Sequence, residues 1–159
     1  MAKLHNYQSD LIWTGHKTNG PAQDYKSFSR AHEIRIAGKP VIMGSADPSF
    51  LGDETCHNPE DLLLASLSAC HMLWYLHLGV VKGLTIIAYE DQATGIMQED
   101  HSGGHFTNVT LHPHVTIADG DDQNIANALH AQAHQKCFIA NSVNFEVLHQ
   151  PRCNYAPHQ

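Results

Sequence analysis

The segment Asn58-Pro59-Glu60-Asp61 and the run LLLASLSACHMLWYLHLGVV that follows it constrain this chain more than any other part. Asn58 is a strong N-cap residue. Pro59 suits the first helical position, where its missing N–H loses nothing, and Glu60 and Asp61 lie at the positive end of the helix dipole. A helix therefore starts here and runs to Gly79 or Gly83, either of which can end it. Its residues are apolar nearly all round, so the fold has to enclose it with protein on most sides. Leu62 to Val81 spans about the width of a bilayer, but Ser66, Ser68, His71 and His77 interrupt it. The reading is a buried helix of a soluble protein, with no membrane partner.

The remaining elements are read around that helix. Leu4 to Thr14 is expected as a first strand, and Thr18 to Asp24 as a loop. Lys26 to Ile36 alternates towards its end, with Ile34 and Ile36 on one face. Gly38-Lys39-Pro40 reads as a turn and Ser45 to Asn58 as an irregular loop. Leu84 to Ala93 and Phe106 to Ile117 read as strands. The turn Ala118 to Asp122 caps a second helix over Gln123 to Lys136. Cys137 stands at its end, Phe138 to Val143 is a short turn, and Asn144 to His149 a last strand. Strands, helix, strands, helix and strand make an α+β domain over residues 1–159.

A chain of 159 residues is enough to bury roughly 70% of its unfolded surface as one domain. Nine Lys and Arg against sixteen Asp and Glu leave a formal net charge of −7. An acidic chain without a basic cluster excludes a nucleic-acid partner, because phosphate contacts need Lys and Arg. The opening MAKLHNYQSD has no apolar stretch of the kind a signal peptide carries, so a cytoplasmic location is expected. Four Cys in that setting argue against a secreted disulfide scaffold; they are reactive, metal-bound or simply buried.

Cys70 falls mid-helix in an apolar setting. Position alone allows a buried structural Cys, whose thiol burial would make inert. Reactivity needs a cation or a donor brought from elsewhere. Arg is scarce, at Arg30, Arg35 and Arg152. Arg30 shares its strand face with Ile34 and Ile36, whereas Arg35 shares the other with Glu33. If the Ile face is the core face, Arg30 points inward and needs a carboxylate, for which Glu60 is a candidate. If the strand is displaced by one residue, Arg30 is solvated.

The segment NPEDLLLASLSACHMLWYL, residues 58–76, resembles the central helix of the OsmC/Ohr family, the osmotically inducible and organic hydroperoxide resistance proteins. That family's motif is Asn-Pro-Glu followed, ten residues after the Glu, by its peroxidatic Cys; here these are Glu60 and Cys70. The segment HQKCFIANSVNFEV, residues 134–147, is similar to the family's second-cysteine region and aligns Cys137 with the resolving Cys. The order of elements agrees over roughly residues 5–150. The resemblance implies antiparallel sheets around a long buried central helix carrying Cys70, and an intertwined homodimer. It implies a thiol-dependent peroxidase without cofactor or metal, which reduces organic hydroperoxides and is recycled by a dithiol such as a lipoylated protein. It also implies that an Arg paired with Glu60 activates the thiolate. The Arg often found shortly before the motif is missing, since Ser45 to His57 contains none, and Arg30 takes its place. HMLWYLHL after Cys70, and the extra Cys56 and Cys153, mark a divergent branch. On one continuous helix Glu60 and Cys70 lie about 15 Å apart. Either the first turn bends away, or Glu60 serves the partner subunit's Cys70.

Leu63, Leu67, Met72, Leu73 and Trp74 would line the site and favour an apolar peroxide. Two rival readings remain. His130, His134 and Cys137, spaced i, i+4 and i+7, share one helix face, a legitimate zinc-ligand spacing to which His71 could add. A metal-binding protein would use them. A non-catalytic binder of a small apolar molecule would keep Cys70 and Cys137 as passive core residues.

Overall fold

The computed structural model describes residues 3–157 and groups the chain into two compact units, residues 1–62 and 63–159. In the first, β1 (Asp10–Trp13), β2 (His32–Arg35) and β3 (Ile42–Gly44) form an antiparallel sheet in that order, with Leu11 opposite Ile34 and Ile34 opposite Ile42. A single-turn helix, α1 (His16–Asn19), interrupts the expected loop. Both early strands are shorter than expected. Asp24 explains part of this: its side chain accepts from Lys26 N at 2.9 Å and its carbonyl from Ser27 N at 3.1 Å, which makes a turn where a strand was expected. Arg35 and Glu33 share the outer face of β2 as expected, and form an ion pair there.

The loop before the long helix is irregular but tied down. Ser45 N donates to His57 O (2.9 Å), and Asp47 caps a 3-10 turn over Pro48–Phe50 by accepting from Ser49 N (2.7 Å). The helix α2 (Pro59–Val81) then begins with a reciprocal cap: Asp61 N donates to Asn58 Oδ1 at 2.7 Å, and Asn58 N donates to Asp61 Oδ2 at 3.4 Å. It is continuous through its first turn. Of the two candidate glycines, Gly83 ends it, at φ 81°, a left-handed conformation that favours Gly; Leu84 N then donates back to Gly79 O at 3.0 Å.

The second unit contains β4 (Ile86–Asp91), β5 (Thr94–Asp100), β6 (Gly103–Leu111), β7 (Pro113–Ile117), α3 (Gln123–Lys136), β8 (Glu146–His149) and β9 (Arg152–Tyr155). Two three-stranded sheets result, ordered β4-β7-β9 and β5-β6-β8. The sheets are mixed rather than purely antiparallel, because β8 joins β6, and β9 joins β7, in parallel. The expected strand over Phe106–Ile117 is two strands divided at His112, and β5 and β9 were not expected at all.

Two apolar clusters hold this unit. Tyr75 and Leu78 of α2 pack with Leu84, Val115 and Ile117 and with Ala126, Leu129 and Ala133 of α3. Leu67 packs with Val109, Leu111 and Val147, and Phe106, Phe145 and Ile139 close around it. Burying a Leu side chain fully stabilises by about 2–3 kcal/mol. The other side of α2 corrects the expectation of enclosure on most sides. Leu73 is 62% and Val80 71% exposed, and only 28% of its apolar window is buried within one chain. By length and composition alone α2 could span a membrane.

Candidate functional site

In the second unit the structure brings Cys70 and Cys137 together from α2 and α3. α3 starts on Asp122, whose carboxylate accepts from Asn124 N and Ile125 N, and it stops at Cys137, where the backbone turns extended (φ −66°, ψ 110°). The stop is local. Cys137 N donates to His134 O (3.2 Å), and Asn141 N returns to Cys137 O (3.0 Å) through a 3-10 turn over Ala140–Ser142. Cys137 is 1% exposed and Cys70 half-buried. Both thiols are free, and Cys70 is near enough to act on the ionisation of Cys137. Burial pushes Cys137 up to about 11, and the neighbouring Cys70 adds to the rise; Ala140 N donates to Cys137 Sγ at 3.4 Å and works the other way. A protonated thiol beside a second sulfur can donate to that sulfur in its ionised form, and oxidation of either one lets the pair form a disulfide.

Of the expected apolar lining, Leu67 is fully buried in the second apolar cluster, and Leu73 faces solvent. Trp74 is half-buried, edge-on to Phe138 (centroids 5.6 Å), with Lys136 Nζ 5.6 Å from its ring centre.

Arg30 and Glu60 belong to the first unit and line one cavity there, about 280 Å³, with Trp13, Phe28, His32 and Phe50 among its walls. They do not pair. Arg30 lies before β2 rather than on it. Its guanidinium donates to the carbonyls of Phe28 and Tyr25, and stacks over the Phe28 ring (4.0 Å) and the Tyr25 ring (4.9 Å). Cation–π contacts and two carbonyls satisfy it without a carboxylate. Glu60 Oε2 is buried with no partner.

The histidines do something the sequence did not suggest. His71 Nε2 and His130 Nδ1 are hydrogen-bonded at 3.0 Å, with parallel stacked rings 5.3 Å apart (7° between planes). His149 lies 5.7 Å from His71 and 5.7 Å from His134, and the Tyr75 ring stacks on His130 at 4.2 Å. His71 is 1% and His130 0% exposed. Burial, and the like charge of His149 and His134, holds His71 at about 4. Burial, with His71 and His149, holds His130 at about 3. These rings are therefore neutral at pH 7. Among the described residues no group of three His, Cys, Asp or Glu is arranged to hold a metal ion. Of the expected zinc face, His130 turns to His71 instead. Cys56 and Cys153 are half-buried, and Cys153 packs against the first apolar cluster.

Comparison with known proteins agrees with the fold. Comparison with curated sequences finds no match. Among solved structures, an OsmC-like protein of unknown function from Vibrio cholerae is 29% identical with a TM-score of 0.85, covering 94% of this chain and 100% of that one. An organic hydroperoxide resistance protein from Elizabethkingia anophelis is similar at 20% identity and TM-score 0.71 (97% and 100% covered). An organic hydroperoxide resistance protein OsmC from Legionella pneumophila is similar at 19% and 0.69 (96% and 98%). The model of the family described as OsmC-like protein matches residues 52–150, which include Glu60, Cys70 and Cys137 but not Arg30. The chain belongs to the OsmC-like family.

Proposed function

We propose that the chain is a thiol-dependent peroxidase that reduces organic hydroperoxides to alcohols, with Cys70 as the attacking and Cys137 as the resolving residue. The observation that carries this is that Cys70 is near enough to Cys137 to act on its ionisation, with both at the motif positions that the family resemblance assigns. The Cys70 thiolate attacks the terminal oxygen of ROOH. The O–O bond breaks, RO⁻ leaves and takes a proton to become ROH, and Cys70 becomes a sulfenic acid. The Cys137 sulfur then attacks the Cys70 sulfur and water leaves, giving a Cys70–Cys137 disulfide and preventing further oxidation. A dithiol reductant, such as a lipoylated protein, returns the pair to two thiols and is itself oxidised to a disulfide.

Arg30 and Glu60 carry the activating role in this reading. Their shared cavity has three aromatic walls, Trp13, Phe28 and Phe50. The exposed apolar side of α2 supports a homodimer, since an uncovered face with Leu73 and Val80 is costly in water. Stopped-flow reduction of cumene hydroperoxide tests the assignment. Cys70→Ser should abolish oxidation of the protein with the fold intact, and Cys137→Ser should leave a sulfenic acid on Cys70. Wild-type turnover by Cys70→Ser would refute it.

A further inference from the structure

We propose that His71 and His130 are positioning residues, which as a neutral pair hold Cys137 against Cys70 and on protonation release it. Its consequence for resolution rests on the peroxidase reading above; its geometry does not.

The pair ties together the two helices that carry the thiols. His71 follows Cys70 on α2, and His130 stands two turns before Cys137 on α3. Their hydrogen bond joins positions 59 residues apart. Simple core filling would be served better by Leu or Phe. His71 Nδ1 and His130 Nε2 are buried without a partner, a cost no apolar residue would carry. The titratable groups that meet the pair are Tyr75, His134 and His149; the same elements also carry Glu60, Asp61, Cys70 and His77 on α2, Lys136 and Cys137 by α3, and the exposed Glu146 on β8. The Tyr75 hydroxyl is occupied, donating to Ala126 O at 3.1 Å. The groups that act on the pair by charge are all imidazoles. Glu146 lines a cavity with His134 and His149.

Two protons act differently on this contact. In the neutral pair one of the two facing nitrogens carries a hydrogen and the other accepts it. A first added proton keeps that bond but places a charge among buried rings. A second puts a hydrogen on both facing nitrogens, and the rings repel. Opening the contact to water removes both penalties. An opening that returns both rings to an ordinary value near 6.5 gains up to about a hundredfold per pH unit below it.

Labelling of Cys137 by N-ethylmaleimide, which does not ionise in this range, quantified by peptide mapping from pH 7 to 4.5, separates this from ordinary thiol chemistry. Without release, the thiolate fraction and the rate fall about tenfold per pH unit. With release, opening outruns that loss, and labelling of the wild type rises several-fold between pH 6 and pH 5. His130→Gln should give a nearly flat profile, and His71→Gln/His130→Gln the plain tenfold decline. Far-UV circular dichroism is followed at each pH. A tenfold decline in the wild type, or a rise that coincides with loss of helix, overturns the proposal. The wild-type profile decides alone if the Gln variants fail to fold. A protein that releases Cys137 in acid but reduces no hydroperoxide at pH 7 refutes the peroxidase reading and leaves the positioning role intact.

Discussion

Replacing Asp91 by Ala should destabilise the second unit by about 2–4 kcal/mol. Asp91 ends β4, and both of its carboxylate oxygens are used. Oδ2 accepts from Ser68 Oγ at 2.5 Å, and Oδ1 accepts from His112 N at 2.7 Å. The first bond fastens α2 to the sheet two residues before Cys70; the second holds the corner where β6 becomes β7. Hydrogen bonds to a charged group contribute about 1.5–3 kcal/mol each, and Asp91 is half-buried, which places each near the lower end. Ser68→Ala removes only one bond and should cost about 1–2 kcal/mol. In the double variant the two effects should fall short of their sum by about 1 kcal/mol, because both delete the same contact. Urea unfolding followed by circular dichroism measures all three, at fixed protein concentration because an oligomer's stability depends on it. A loss below about 0.5 kcal/mol for Asp91→Ala, or strict additivity with Ser68→Ala, would show that this tie does not hold helix to sheet.

Acid should destabilise the fold well above the carboxylate range. His71 and His130 are held below their unfolded value of 6.5, so their contribution is complete above pH 6.5 and is lost as pH falls towards about 4 and about 3. Two such groups give a slope of about 2 kcal/mol per pH unit between pH 6 and pH 4.5; a flat unfolding free energy there would mean that these rings are already charged in the native state. Arg30→Ala should slow hydroperoxide reduction at least about tenfold, a change of 1.4 kcal/mol in the barrier, and should also lower the melting temperature, since it removes two carbonyl hydrogen bonds and two ring contacts. An unchanged rate would place thiol activation elsewhere.

What was legible in the sequence was what local chemistry decides. Asn58 and Asp122 cap their own helices, and Gly83 ends one, so α2 and α3 lie where the capping residues put them. β5 was missed because all seven of its side chains are exposed, which leaves no buried face to produce alternation. β9 was missed because it is four residues long and follows Pro151 directly. The Cys70–Cys137 contact was legible only through the two motifs, since no periodicity connects residues on separate helices. Arg30 was misread because a cation can be satisfied by carbonyls and aromatic faces as well as by a carboxylate, and only the tertiary path shows which. The His71–His130 pair had no local signal; each was read with its neighbours in sequence, and each pairs across 59 residues.

The most direct test of the two-thiol mechanism is peptide mapping after one equivalent of cumene hydroperoxide at pH 7. The four thiols are free beforehand, and Cys137 has Cys70 as a neighbour that acts on its ionisation. A Cys70–Cys137 bridge should form in stoichiometric yield, with Cys56 and Cys153 left reduced. A lasting sulfenic acid on Cys70, a bridge to Cys56 or Cys153, or four unmodified thiols would contradict the mechanism.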